Sequence, residues 1–181
     1  MIYKLFLTLS FVAIAFGNAS GAEREWRAHE ITSEHQRAAT PAYVPLPDEL
    51  DEAKRYRVLE LRAVEAGEGR RWGNPLTEAK RLDLANKHEL ICVYPTFADL
   101  PWYANHPTDE KLQQERYLLE DVIPMVEREY PARAERDGRM LVGFSKSGWG
   151  AWSLLLRHPD KFIAAAAWDA PLMEDQPKKY G

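Results

Sequence analysis

The chain has 181 residues, 45% of them hydrophobic and 11% aromatic, with 24 Lys and Arg against 28 Asp and Glu for a formal charge of -4. That composition suits one globular domain and excludes collagen-like, low-complexity and wholly disordered chains. A mildly acidic chain whose basic residues are scattered carries no electrostatic footprint for nucleic acid.

At the amino terminus Lys4 precedes an apolar run over 5–16 and a small, polar stretch over 17–22. A membrane-spanning helix needs about 20 apolar residues, and this run is shorter. With Ser20 and Ala22 placed for cleavage before Glu23, residues 1–22 are predicted to be a signal peptide. The expected location is secreted or periplasmic, with only transient membrane contact through that peptide. Cys92 is the single cysteine, so no intrachain disulfide is available, and its apolar setting predicts a buried thiol.

Edge strands are expected over 23–37, anchored by Trp26 and Ile31, and over 40–46, bracketed by Pro41 and Pro45. Residues 57–61 alternate polar with apolar and predict a strand, and 65–69 are loop chemistry. Asn74 as cap, Pro75 in the first turn, and Leu76, Ala79, Leu82 and Ala85 predict a helix over 74–86. The continuous apolar run 90–94 predicts a strand buried on both faces. A loop rich in aromatics follows over 96–107. A helix is then expected over 108–130, with Leu112, Leu119, Val122, Ile123 and Val126 on one face and a kink or break at Pro124. Residues 139–144 predict a buried strand, 148–157 a helix and 162–168 a third buried strand. Short apolar strands alternating with helices define the α/β class, a mostly parallel sheet with helices on both faces.

Between the predicted strand and helix lies Gly143-Phe144-Ser145-Lys146-Ser147-Gly148-Trp149-Gly150. A serine on a tight strand-to-helix turn exposes its hydroxyl at the carboxyl end of the sheet, and small residues flank it because the two backbones nearly touch. The Lys146 amide then sits where an oxyanion forms, reinforced by the helix dipole.

This elbow, with Ala151 and the closing Leu155-Leu156-Arg157-His158-Pro159-Asp160-Lys161-Phe162, resembles the α/β-hydrolase superfamily and, within it, the esterase D-like esterases. The strand at 54–61 and the loop at 95–105 are similar to that family's oxyanion strand and cleft loop, so the resemblance spans about 40–172. It implies an α/β-hydrolase fold, with residues 23–181 the N-terminal part of the domain. Ser145 is the implied nucleophile, and Lys146 and Val64 supply the implied oxyanion amides. Arg62-Ala63 stands where the family carries His-Gly or Asp-Gly, and Ser147 replaces the second glycine of the elbow.

The superfamily order is nucleophile, acid, histidine. Asp169, after the last predicted strand, is the candidate acid, with a turn or capping carboxylate as the alternative. His158 is the only histidine after Ser145 and reads as a helix cap. The triad histidine is therefore expected outside the chain, which reads as incomplete at its C-terminus and inactive on its own.

Trp102, Tyr103 and Trp149 are candidates to stack on a sugar or aromatic acyl group, or to pack under the loop. The Lys146 side chain either attracts an anionic substrate group or is solvated. His106, Asp109 and Glu110 match no strong metal spacing, and neither metal nor cofactor is expected. The implied function is an exported serine hydrolase of carboxylic esters, including acylated carbohydrate. A non-catalytic binding protein and an acyltransferase on the same scaffold remain open.

Overall fold

The computed structural model describes residues 26–171, so the expected signal peptide lies outside the described residues. Six strands form one sheet in the order β1-β2-β4-β3-β5-β6: β1 Arg27–Ile31, β2 Thr40–Val44, β3 Arg57–Leu61, β4 Leu90–Pro95, β5 Arg139–Phe144 and β6 Ala164–Trp168. β4, β3, β5 and β6 run parallel, while β1 pairs with β2, and β2 with β4, antiparallel. The expected sheet is present, with an antiparallel hairpin on one side.

β4 is buried at every position, as its unbroken apolar run requires of a strand covered on both faces. Val93 packs with Ile123 and Val126, whereas its neighbour Tyr94 packs beside Leu76. Adjacent strand residues point to opposite faces, so helices cover both sides of the sheet. Cys92 is completely buried in this strand, and burial pushes its thiol up to about 12.

Five expectations are corrected. β2 is not an edge strand, since it lies between β1 and β4. It tolerates Pro41 because the β2–β4 ladder has only two pairs, Ala42 with Pro95 and Tyr43 with Tyr94. The helix expected over 74–86 starts as anticipated, with Asn74 Oδ1 accepting the Leu76 amide at 3.0 Å, but it divides. α1 Pro75–Arg81 and α2 Leu84–Lys87 are separated by Asp83, which is left-handed at φ 55.

The long helix begins not at Thr108 but at Gln114. α3 Gln114–Arg116 runs through a π-helical turn, Tyr117–Val122, into α4 Ile123–Glu129. Pro124 causes no break, because the wider turn falls just ahead of it, where proline lacks a donor and crowds the preceding carbonyls. Leu112 consequently bridges Gln36 instead of lying on a helix face. Finally, β6 is not buried on both faces. Ala164, Ala166 and Trp168 are exposed, while Ala165 and Ala167 turn towards α5, Lys146–Arg157. Phe162, just before β6, is completely buried.

Candidate active site

Ser145 stands between β5 and α5 with φ 52 and ψ -126, a backbone conformation that costs a non-glycine residue energy and persists only when its surroundings enforce it. Its amide donates to the Trp168 carbonyl at 3.0 Å, and its own carbonyl accepts the Trp149 amide at 3.0 Å. The end of β6 and the first turn of α5 therefore hold the turn from both sides. A Cβ on Gly143 would lie 2.2 Å from the Ser147 carbonyl oxygen, and one on Gly148 would lie 3.1 Å from the Ala167 Cβ. Those distances show how closely strand and helix approach.

Ser147, which departs from the usual glycine, is completely buried. Its hydroxyl accepts the Phe144 amide at 2.9 Å and donates to the Phe144 carbonyl at 2.8 Å. The extra atoms satisfy backbone groups at the strand end that a glycine would leave without these bonds.

The Lys146 amide is in the first turn of α5, at the positive end of the helix dipole. Val64 is half-buried on the loop after β3, whose first residue, Arg62, still donates its amide to the Val142 carbonyl at 3.0 Å. Ala63, where a glycine was the family pattern, is completely buried and its carbonyl accepts the Tyr103 hydroxyl.

Tyr103 was a candidate to stack on substrate, and the structure corrects this: its side chain has no exposed surface. Its backbone is left-handed at φ 58, and the ring lies inside the fold. There it meets Gly150 of α5, where a Cβ would lie 2.2 Å from the tyrosine Cδ2. It packs edge-on to Phe97 at 5.4 Å and lies beneath the Arg62 guanidinium at 5.3 Å. Burial raises its phenol well above the usual tyrosine range. Trp102 and Trp149 remain partly exposed, and the Lys146 ammonium lies 4.9 Å from the Trp102 ring centroid.

Several supporting residues carry no contiguous sequence motif. Gln114 Oε1 accepts the amides of Trp102 at 2.6 Å and Tyr103 at 3.1 Å, while its Nε2 donates to the Leu100 carbonyl at 3.1 Å. Arg157 donates to the Tyr103 carbonyl at 2.6 Å and pairs with Glu115 at 2.6 Å. Glu60 and Arg62 form a completely buried ion pair at 2.7 Å. Burial raises the Glu60 carboxyl, and the Arg62 charge beside it opposes that shift.

Asp169 is exposed at the carboxyl end of β6 with φ 52. His158 pairs with Glu115 at 2.6 Å at the far end of α5. His29 bonds Tyr130 at 2.6 Å and His35 bonds Glu120 at 3.0 Å. His106 accepts the Asp109 amide at 3.0 Å. Asp109 pairs with Arg37.

A strand-elbow-helix at the carboxyl end of a mostly parallel sheet, with its strained serine, defines the α/β-hydrolase class. Residues 95–176 match the family described as Putative esterase. An esterase of Mycobacterium tuberculosis is 28% identical over 92 residues, 49% of this chain and 20% of that protein. A solved ferulic acid esterase superposes with a TM-score of 0.65 at 23% identity, covering 86% of this chain and 63% of its own. The Mycobacterium tuberculosis MPT51 structure superposes with a TM-score of 0.64 at 19% identity, covering 82% and 52%. The chain thus spans less than two thirds of the length of these relatives. The fold is that of the α/β-hydrolases, and residues 95–176 carry the likeness to the esterase family.

Proposed function

We propose that this protein is an exported serine esterase in which Ser145 attacks the carbonyl carbon of a carboxylic ester. The single observation that carries this reading is the strained Ser145 backbone, φ 52 and ψ -126, held at the first turn of α5. The serine proton passes to a general base as the tetrahedral intermediate forms. Its oxyanion is bound by the Lys146 amide and a second donor from the loop at Val64, and collapse expels the alcohol and leaves acyl-Ser145. Water then releases the acid; transfer to a sugar hydroxyl would use the same acyl-enzyme. A structural relative, a ferulic acid esterase, supports an aromatic acyl ester as substrate.

None of the five histidines is the base in this reading: four are engaged elsewhere and His88 is exposed after α2. Asp169 is the candidate to orient a base brought to the cleft. The 181-residue chain alone therefore turns over esters slowly, since a positioned base contributes about 10²–10⁴ in rate. The same histidine placements favour a second reading, a binding protein that keeps the elbow without chemistry.

Exogenous imidazole separates the two. Added imidazole is expected to raise p-nitrophenyl acetate hydrolysis by the chain above the solution background, and Ser145→Ala to remove that increment. Equal rates in both proteins would reject the esterase reading.

A further inference from the structure

Lys146 is the first residue of α5, and the first turn of that helix holds no acidic residue. A cation there opposes the helix dipole. Its ammonium lies against the Trp102 face at 4.9 Å, in a half-buried position beside the proposed nucleophile. Burial lowers its pKa to about 8, with the Glu65 charge acting the other way. That carboxylate is already committed: Glu65 pairs with Arg71 at 3.2 Å and accepts the Arg71 amide at 3.0 Å. Among the described residues Lys146 forms no ion pair. The fold thus holds a partly desolvated positive charge next to Ser145 on an aromatic floor, and the opposite charge that acts on it, Glu65, is paired with Arg71.

We propose that Lys146 and Trp102 form a subsite for a carboxylate borne by the ester substrate. The proposal rests on the esterase reading of Ser145 and narrows its substrates to anionic esters. The carboxylate accepts ammonium hydrogens, a charge-assisted bond that a neutral ester cannot make, while the indole packs against the adjoining carbon chain. Either the acyl or the alcohol part could carry this group, and matched ligands distinguish them.

Binding to the 181-residue chain, followed by NMR titration at low salt, tests the subsite without requiring turnover. One arm compares ethyl hydrogen succinate with ethyl butyrate, which places the carboxylate on the acyl side. The other compares O-acetyl-lactate with its methyl ester, which places it on the alcohol side. The anionic member of at least one pair is expected to bind about fivefold to tenfold more tightly. Lys146→Met should reduce that preference to within about twofold, and Lys146→Arg should retain most of it. Raising the pH through about 8 should erase the preference, because the ammonium loses its proton.

Equal affinities within both pairs, or a preference that survives Lys146→Met, would overturn the subsite. Ser145-dependent, imidazole-assisted hydrolysis of p-nitrophenyl acetate would still stand after that failure. Conversely, anion preference without such hydrolysis would reject the esterase reading and keep the subsite.

Discussion

The elbow and the loop after β3 follow neighbouring parallel strands, but they are held in different ways. Around Ser145 most restraints are local: Gly143 lets the Ser147 carbonyl approach, and Ser147 closes on Phe144 within the same turn, while the Trp168 carbonyl adds one bond from the end of β6. The loop beginning at Arg62 has the buried Glu60–Arg62 pair at its start and is otherwise held from afar, through the Tyr103 hydroxyl on Ala63 and the Gln114 and Arg157 contacts that fix Tyr103. A turn that is strained can be enforced by close packing of its own neighbours. A loop whose task is to present an amide at a fixed position needs support from several elements, and here Tyr103 joins three of them.

Substitutions can separate these two modes of support. The largest expected effect is on the side of the loop after β3. Glu60→Leu leaves the Arg62 guanidinium buried without its partner and should cost about 3–5 kcal/mol in urea unfolding. On the elbow side Gly143→Ala forces a Cβ into the Ser147 carbonyl and should cost about 3 kcal/mol, read by the same method. Tyr103→Phe keeps the ring against Gly150 but leaves the buried Ala63 carbonyl unpaired, for an expected loss of about 1–3 kcal/mol. Hydrogen exchange should then quicken in the loop after β3 while α5 stays protected. The smallest change is Ser147→Ala, which removes one hydroxyl and should cost about 1 kcal/mol, with faster exchange confined to the elbow. If Tyr103→Phe and Ser147→Ala loosened the same amides, the distinction between the two regions would be lost.

The same contrast explains what could be read in the sequence. β3, β5, the Asn74 cap and the elbow rest on contiguous residues, and each stands where its pattern placed it. Features decided by remote partners were not legible. The burial of Tyr103 depends on Gly150, Ala63 and Gln114, none of which is near it in sequence. The late start of the long helix follows from bridges that engage Leu112 and Gln113 with Gln36 and Asn105. The exposure of alternate residues in β6 depends on which faces of the sheet are covered, and five apolar residues in a row do not record that. Within the candidate site, Ser145 and Lys146 carried a recognisable motif. Gln114, Arg157 and the buried Glu60–Arg62 pair had no spacing that marked them.

The central claim is that the turn at Ser145 presents a nucleophile. The most direct measurement is reaction of the chain with a fluorophosphonate in the presence of imidazole, followed by peptide mapping of the adduct. The adduct is expected on Ser145 and should disappear when the protein is unfolded before labelling. Labelling spread over other serines, such as Ser33 and Ser153, or unchanged after unfolding, would contradict it.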